Sequence, residues 1–506
     1  MSRNFLRCLV SALLLAAPFH FPVLLPLAWF AFVPLLWALE EAKWRAAFLL
    51  GWATGVVANL AGFYWLPYTI RVFGGFPYAL SGFIFLLFAV LEGLQIALFA
   101  MFICLSGFGP LLLFPAIIWV ALEFSFPHLF PWHLASSQAN FLTLIQSADL
   151  IGPYGTSLLI VWLNLTLYAA LRARTKRPRG VRAAAAVLGV VVIAALAYGH
   201  FRLSAIAASM KVAPKLALAA VQGNIDVQLK WDPAQLRNNL AAYRKLTERI
   251  QGVNLVIWPE TAVEGWLPDE SRRLPEEILP SLSPEVSDFI FGVRSFLGSP
   301  DRSDFQAFNS AFLADRQGAL LSRYHKQVLL AFGEYIPFAE ILSRIPGVPA
   351  IGGGFSRGDG PRALALTGGI RVAPLICYED LMPALSRRFV REERVGLLVN
   401  LTNDAWYGRT TAPWQHARLA LWRAIETRRT LVRVTNTGVT AVIDARGSVV
   451  QMLPLFVSGV LIARVDLLDG ETPYVRYGDW FAWSVTVLAL AVLVFRLIRV
   501  FKPSRR

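Results

Sequence analysis

Between Arg7 and Glu40 the chain carries no Asp, Glu, Lys or Arg. A helix needs about 20 apolar residues to cross a bilayer, so this stretch has room for two short helices, joined near Phe21–Pro22. Five more apolar stretches follow, Ala46–Tyr68, Tyr78–Leu105, Pro110–Phe126, Ile151–Leu171 and Ala183–Tyr198, and an isolated one, Trp480–Phe495, stands near the C-terminus. In lipid every backbone polar group must be satisfied within the protein, which leaves helices as the reading for such runs. The first run, behind Arg3 and Arg7, is read as a retained helix rather than a cleaved signal, because a second apolar run follows it directly. Glu92 and Glu123 fall within or at the edge of spans, where a carboxylate marks either a functional site or a buried structural hydrogen bond.

The charge follows the same division. The formal net charge is +15, but residues 211–478 hold 31 Lys and Arg against 27 Asp and Glu, leaving 17 against 6 elsewhere. The excess sits with the apolar segments, where it sets topology. No Arg-rich face interleaved with aromatic residues occurs in the polar part, so nucleic acid is excluded as a partner. The three cysteines, Cys8, Cys104 and Cys377, allow neither zinc spacing nor a disulfide framework. No metal and no cofactor is expected.

From Lys215 to about Val465 the texture changes. Short β-rich runs (Leu216–Val221, Val253–Trp258, Phe289–Phe296, Phe308–Ala314, Ile370–Cys377, Val395–Leu401, Val439–Ile443) alternate with helical patterns at Pro233–Gln251 and Gln415–Arg429. Strands alternating with helices point to a layered α/β domain. The Gln415–Arg429 segment reads as an amphipathic packing helix. The expected division is an N-terminal membrane domain of seven transmembrane helices (1–205), a catalytic domain (212–470), a C-terminal transmembrane helix (479–498) and a basic cytoplasmic tail (499–506).

Three local sequences in this region carry chemistry: Val256-Ile257-Trp258-Pro259-Glu260-Thr261; Tyr324-His325-Lys326 with Glu334 eight residues on, in Phe332-Gly333-Glu334-Tyr335-Ile336-Pro337; and Leu375-Ile376-Cys377-Tyr378-Glu379-Asp380. The first and third set an ionisable or nucleophilic side chain at the end of a β-rich run, where a sheet holds it firmly at a cleft. Singly, each has a plain reading: a core thiol, a surface lysine, a first-turn carboxylate. Together and in this order they resemble the nitrilase superfamily, over roughly residues 215–465. The Asn400–Gly408 segment and Gln222-Gly223-Asn224 are similar to that superfamily's pocket loops. With seven spans before the domain and one after it, the whole chain resembles the bacterial apolipoprotein N-acyltransferases.

That resemblance implies an αββα nitrilase-like sandwich beside a multi-span α-helical membrane domain. It also implies transfer of an acyl group from a phospholipid donor, through a cysteine thioester, to the N-terminal amine of a diacylglyceryl-cysteine lipoprotein. The catalytic domain then stands on the periplasmic side of the inner membrane. Thiol chemistry leads to the same roles, with Cys377 the nucleophile and Glu260 the base that takes its proton. Lys326 is expected to lower the thiol pKa and stabilise the oxyanion, with the Tyr378 backbone N–H as a second donor. Glu334 and Glu379 are candidates for orienting Lys326 or Glu260. Trp231, Asn309, Trp406 and Tyr407 are candidates for substrate contact; Trp414 is a further loop aromatic. A membrane-anchored C–N hydrolase with the same triad is the competing reading, although one span would suffice for an anchor.

Six positive charges between Arg172 and Arg182 and five from Arg496 onward place both segments in the cytoplasm, with the catalytic domain and the Lys- and Arg-free connection 127–150 opposite. Alkaline phosphatase fused after Ala350 should therefore be active, and fused after Arg177 inactive. The reverse pattern at both sites would overturn the orientation.

Overall fold

The computed structural model describes residues 2–108, 110–172, 180–299, 301, 304–331, 333–335 and 354–501. Most of the basic segment 172–182, the tail from Lys502 and, in the lysine motif, Phe332, Ile336 and Pro337 lie outside the described residues. The chain divides into two compact units: Met1–Tyr68, Phe76–Ala205 and Tyr477–Arg506 form one, Thr69–Gly75 and Ile206–Arg476 the other.

The first unit is helical. Among the described residues, Tyr78–Ser106, Tyr154–Arg172 and Val181–Val212 are long and apolar enough to cross a membrane. The pair Trp44–Gly62 and Leu66–Gly74, bent by 63°, makes a fourth if it is one broken span. The stretch between Arg7 and Glu40 departs from the expected pair of helices. Ser2–His20 is one helix, but a 3-10 segment, Pro22–Trp29, and a six-residue helix, Val33–Ala38, take the place of the second. Pro22, Pro26 and Pro34 lack the N–H that a continuous α-helix requires. Asn164 serves the freed backbone: its Oδ1 accepts from Phe32 N at 2.8 Å and its Nδ2 donates to Ala28 O at 2.9 Å.

Both intramembrane carboxylates are occupied structurally. Glu92 accepts from Leu129 N at 3.0 Å and pairs with His128 Nδ1 at 2.7 Å. Glu123 accepts from Leu134 N at 2.7 Å and Trp119 Nε1 at 3.2 Å. Each therefore ties down the polar connection after Phe126.

The second unit is an αββα sandwich. One sheet runs β13-β1-β2-β4-β5-β6, with β3 also paired to β4; the other runs β12-β11-β10-β9-β8-β7. Its strands are β1 (Lys215–Gln222), β2 (Leu255–Ile257), β3 (Val263–Pro268), β4 (Asp288–Leu297), β5 (Gln306–Asp315), β6 (Leu320–His325), β7 (Leu364–Ala365), β8 (Arg371–Ile376), β9 (Leu397–Thr402), β10 (Thr430–Thr435), β11 (Ala441–Ile443), β12 (Val449–Met452) and β13 (Gly459–Asp466). All seven expected runs are strands. Strand β10, in the middle of its sheet, went unread because the helical pattern before it runs on to Arg429. The central pairs β1–β2, β2–β4, β8–β9 and β9–β10 are parallel, and their strands are buried, as in sheets covered on both faces.

Direction matters for the site. Strand β5 is antiparallel to β4 and β6 antiparallel to β5, so β6 runs with β4 and β2. The ends of β2 and β6, which lead into Glu260 and Lys326, thus share one edge of the sheet. In the facing sheet, β8 ends directly in Cys377.

Helix Ala412–Thr427 differs from the amphipathic helix expected over 415–429. His416, Arg423 and Glu426 on it, and Arg428 and Arg429 just past it, are all buried. Trp414, expected in a loop, sits in its first turn against Ala417, Val439 and Ala441. Buried charges must be paired. Arg423 forks onto Glu426 at 2.7 and 2.6 Å. His416 bridges Asp404 and Asp380, 2.9 Å from each, and Arg433 on β10 pairs with both carboxylates. This four-residue network joins the turn after Cys377 to the loop carrying Trp406 and Tyr407.

Burial alone would lower the His416 pKa, but Asp380 and Asp404 outweigh it and hold it at about 9, above its ordinary 6.5. A histidine raised on folding lends stability that is complete below pH 6.5 and is lost as pH rises through about 9. The thermal midpoint in detergent should therefore fall across that window, by an amount equivalent to about 1 kcal/mol per pH unit. His416→Gln should melt lower at pH 6.5 and show a flatter slope. An identical slope in the variant would remove His416 as the cause.

Candidate active site

Two of the three strand-end residues depend on left-handed turns. Cys377 has φ 53° and Thr261, after Glu260, φ 45°. For residues with a Cβ this conformation costs on the order of 1–3 kcal/mol and persists only where the surroundings impose it. At Cys377, Asn400 Nδ2 donates to Cys377 O at 2.9 Å and Leu375 O at 3.1 Å. At Glu260, β4 lies so close that a Cβ on Gly292 would come 2.5 Å from Pro259 O and Thr261 N. Trp258 anchors the turn from below, fully buried, with its Nε1 donating to Thr247 Oγ1 at 2.9 Å.

The charged groups converge. Lys326, 1% exposed, donates from Nζ to Glu334 Oε1 at 2.9 Å and lies 3.8 Å from Glu260 Oε1. Asn309, on β5, donates to Glu260 Oε1 and to Glu334 Oε1, both at 2.9 Å. A third donor, Leu330 N, reaches Glu334 Oε2 at 2.9 Å. Glu334 is thus the direct partner of Lys326. The Asn309 amide nitrogen, expected to meet substrate, bridges two protein carboxylates. Glu379, 0% exposed, accepts from Ile376 N (2.8 Å), Gln327 N (2.7 Å), Val328 N (3.0 Å) and Tyr324 Oη (2.9 Å). It staples the nucleophile turn to the segment just after Lys326, and so orients both without touching Glu260.

Electrostatics separates the roles. Burial would lower Lys326, but Glu334, Cys377 and Glu260 hold its ammonium above the ordinary range, so it stays charged. Burial raises Glu260, with Lys326 opposing. It likewise pushes Glu379 up to about 7 against its N–H donors. The Cys377 thiol was expected to be lowered by Lys326. The lysine does pull it down, but burial first and the Glu260 carboxylate next outweigh it and hold the thiol well above its usual 9.0. Burial and the nearby carboxylates thus favour the neutral thiol over the thiolate at Cys377.

An aromatic wall stands beside this cluster. Trp231, 38% exposed, stacks on Trp406 with centroids 6.2 Å apart, and the Arg294 guanidinium lies 5.0 Å from the Trp231 ring. Phe73, in the segment Thr69–Gly75, meets Trp406 edge-on at 4.5 Å. Sequence reasoning missed Phe73, which lies past the apolar stretch Ala46–Tyr68, between Arg71 and the Gly74-Gly75 break. Tyr407 lies within electrostatic reach of Cys377, and burial with that neighbour raises its hydroxyl well above the ordinary value. Tyr378 is half-buried in the 3-10 turn Cys377–Leu381. Gln222, expected in a pocket loop, is committed to the carbonyls of Pro454 and Val457 at 2.9 and 2.8 Å.

Known families match both parts of the chain. The carbon-nitrogen hydrolase family matches residues 217–472, and the apolipoprotein N-acyltransferase N-terminal domain matches residues 11–166. The apolipoprotein N-acyltransferase of Geobacter metallireducens is 37% identical, over 98% of this chain and 96% of its own length. That of Azotobacter vinelandii is 34% identical, over 98% and 95%. An amidase from Nesterenkonia sp. of known structure is 20% identical, with a TM-score of 0.35 over 52% of this chain and 92% of its own. With relatives this similar over nearly its whole length, the chain belongs to the apolipoprotein N-acyltransferase family, acyltransferases of the nitrilase superfamily.

Proposed function

We propose that this enzyme moves a fatty acyl chain from a phospholipid to the N-terminal amine of diacylglyceryl-cysteine lipoproteins, through a thioester on Cys377. The observation that carries the reading is a half-buried thiol within electrostatic reach of the paired Glu260 and Lys326, flanked by a wall of aromatic side chains. Glu260 takes the Cys377 proton as sulfur attacks the ester carbonyl carbon. The oxyanion that forms is stabilised by the Lys326 ammonium and the Tyr378 backbone N–H. When this intermediate collapses, the lyso-phospholipid alkoxide leaves with the proton from Glu260. The lipoprotein amine then attacks the thioester, Glu260 takes a proton from the nitrogen, and the amide departs as sulfur regains its proton.

Glu334 and Asn309 fix the Lys326–Glu260 geometry, and Glu379 fixes the turn that presents the thiol. Trp231, Trp406 and Tyr407 shield the thioester from water and contact the acyl chain. Asn309 Nδ2 is committed to the two carboxylates, which leaves its Oδ1 for a substrate contact. The domain faces the periplasm, on the inner membrane, where both lipid substrates lie within reach of one thiol.

Phospholipid alone should add the mass of one acyl group to the wild-type protein and none to Cys377→Ala. That adduct should persist in buffer and be discharged by a diacylglyceryl lipopeptide with a free amino terminus, but not by its N-acetylated form. Rapid decay to free fatty acid, with turnover of small amides, would establish the C–N hydrolase reading instead.

A further inference from the structure

Lys230 has no part in the chemistry above, yet it is 0% exposed, a rare state for a lysine. It lies at the end of a short turn of helix, Val227–Lys230, just before Trp231. Its Nζ donates to the carbonyl oxygen of Thr261 at 2.8 Å and stands 3.9 Å from Glu264 Oε1. Glu264 is itself held by Asn239 Nδ2, at 3.1 and 3.2 Å from its two oxygens. Burying an ammonium is costly unless it is compensated, and here the compensation is directed at the turn that carries the base.

That turn is clamped from two sides. The β4 backbone at Gly292 presses on Pro259–Thr261 from one side, leaving no room for a Cβ. Lys230 holds the Thr261 carbonyl from the other, with Thr261 in its left-handed conformation. We propose that Lys230 is a positioning residue for Glu260: its Nζ fixes the Thr261 carbonyl, which locks the left-handed turn and aims the carboxylate, and its charge favours the ionised base. The inference rests on Glu260 acting as the base.

The local charges agree with this geometry. Lys326, Glu334 and the Cys377 thiol face Glu260 from the lysine and nucleophile segments, Asn309 donates from β5, and Lys230 adds a second cation. Lys230 itself faces Glu264, Glu260 and Arg294. Burial lowers its pKa to about 8 against the pull of the two carboxylates, which leaves it an ammonium at neutral pH. Its Nζ also lies 5.7 Å from the Trp231 ring centroid, so the base turn and the aromatic wall share one support.

The test is the pH dependence of Cys377 acylation by phospholipid micelles, read by intact mass in single turnover, with thermal melting in parallel. The acid limb of the profile reports the base. Removing a nearby cation raises a carboxyl pKa, so Lys230→Met should move that limb up by about one pH unit. Lys230→Arg, which restores the charge, should bring it back toward the wild-type position. Glu264→Gln removes the carboxylate that keeps the buried Lys230 protonated and should move the limb up, as Lys230→Met does, a reading that holds even if Lys230→Met folds poorly. Unmoved limbs in folded Lys230→Met or Glu264→Gln would overturn the role of Lys230. A wild-type limb that survives in Glu260→Gln would instead sink Glu260 as the base.

Discussion

The site depends on the cost of gathering charges where water is scarce. Two carboxylates, Glu260 and Glu334, share one ammonium, Lys326, and one amide, Asn309, which donates to both. With both carboxylates ionised, the cluster carries one negative charge in excess. A Cys377 thiolate would add a second in a low-dielectric surrounding, where like charges repel strongly. On the proposed mechanism sulfur keeps its proton at rest, and the same repulsion makes Glu260 ready to accept it. The charge that would form during the proposed attack moves away from Glu260 to the acyl oxygen, toward the lysine and the turn N–H. The cluster is thus arranged for the transition state rather than for a stored thiolate.

The fold serves this arrangement by holding strained turns in place. Left-handed backbone at Cys377 and Thr261 would relax without support, and the supports are polar side chains committed to backbone atoms. Asn400 holds the nucleophile carbonyl, Glu379 gathers three N–H groups from two segments, and Lys230 holds the carbonyl after the base. Around them the Asp380–His416–Asp404–Arg433 network fixes the aromatic loop against the nucleophile turn. Most buried charge in this domain is spent on geometry and only a little on chemistry.

This division explains what the sequence could reveal. The placement of Glu260 and Cys377 at strand ends was legible because each follows a β-rich run, whereas Lys326 stood out only by its motif, since β6 went unread before it. Glu334 and Glu379 were legible as neighbours, but their partners were not, because hydrogen bonds such as Glu379 to Gln327 N span 52 positions. That the Asn309 amide nitrogen bridges Glu260 and Glu334 was not legible, since a polar residue in a strand carries no mark of what it faces. His416 and Arg423 read as one face of an amphipathic helix, because spacing cannot distinguish a solvated charge from a buried, paired one. Strand β10 was hidden by its own Thr430, Arg433 and Thr435, polar residues that complete buried networks. In the membrane unit, the prolines between Pro22 and Pro34 turned an expected helix into 3-10 structure, pinned by Asn164 from a distant helix.

The claim that most of this rests on is that the resting nucleophile is a protonated thiol. It can be read directly from the ultraviolet thiolate absorbance of wild type minus Cys377→Ala, in the same detergent, titrated upward from neutral pH. The account predicts no thiolate signal at neutral pH, with ionisation only above the ordinary thiol value of 9.0. A thiolate already present at neutral pH, and lost in Lys326→Met, would contradict it. Cys377 would then be stored as an ion pair with Lys326, and Glu260 would have no proton to take.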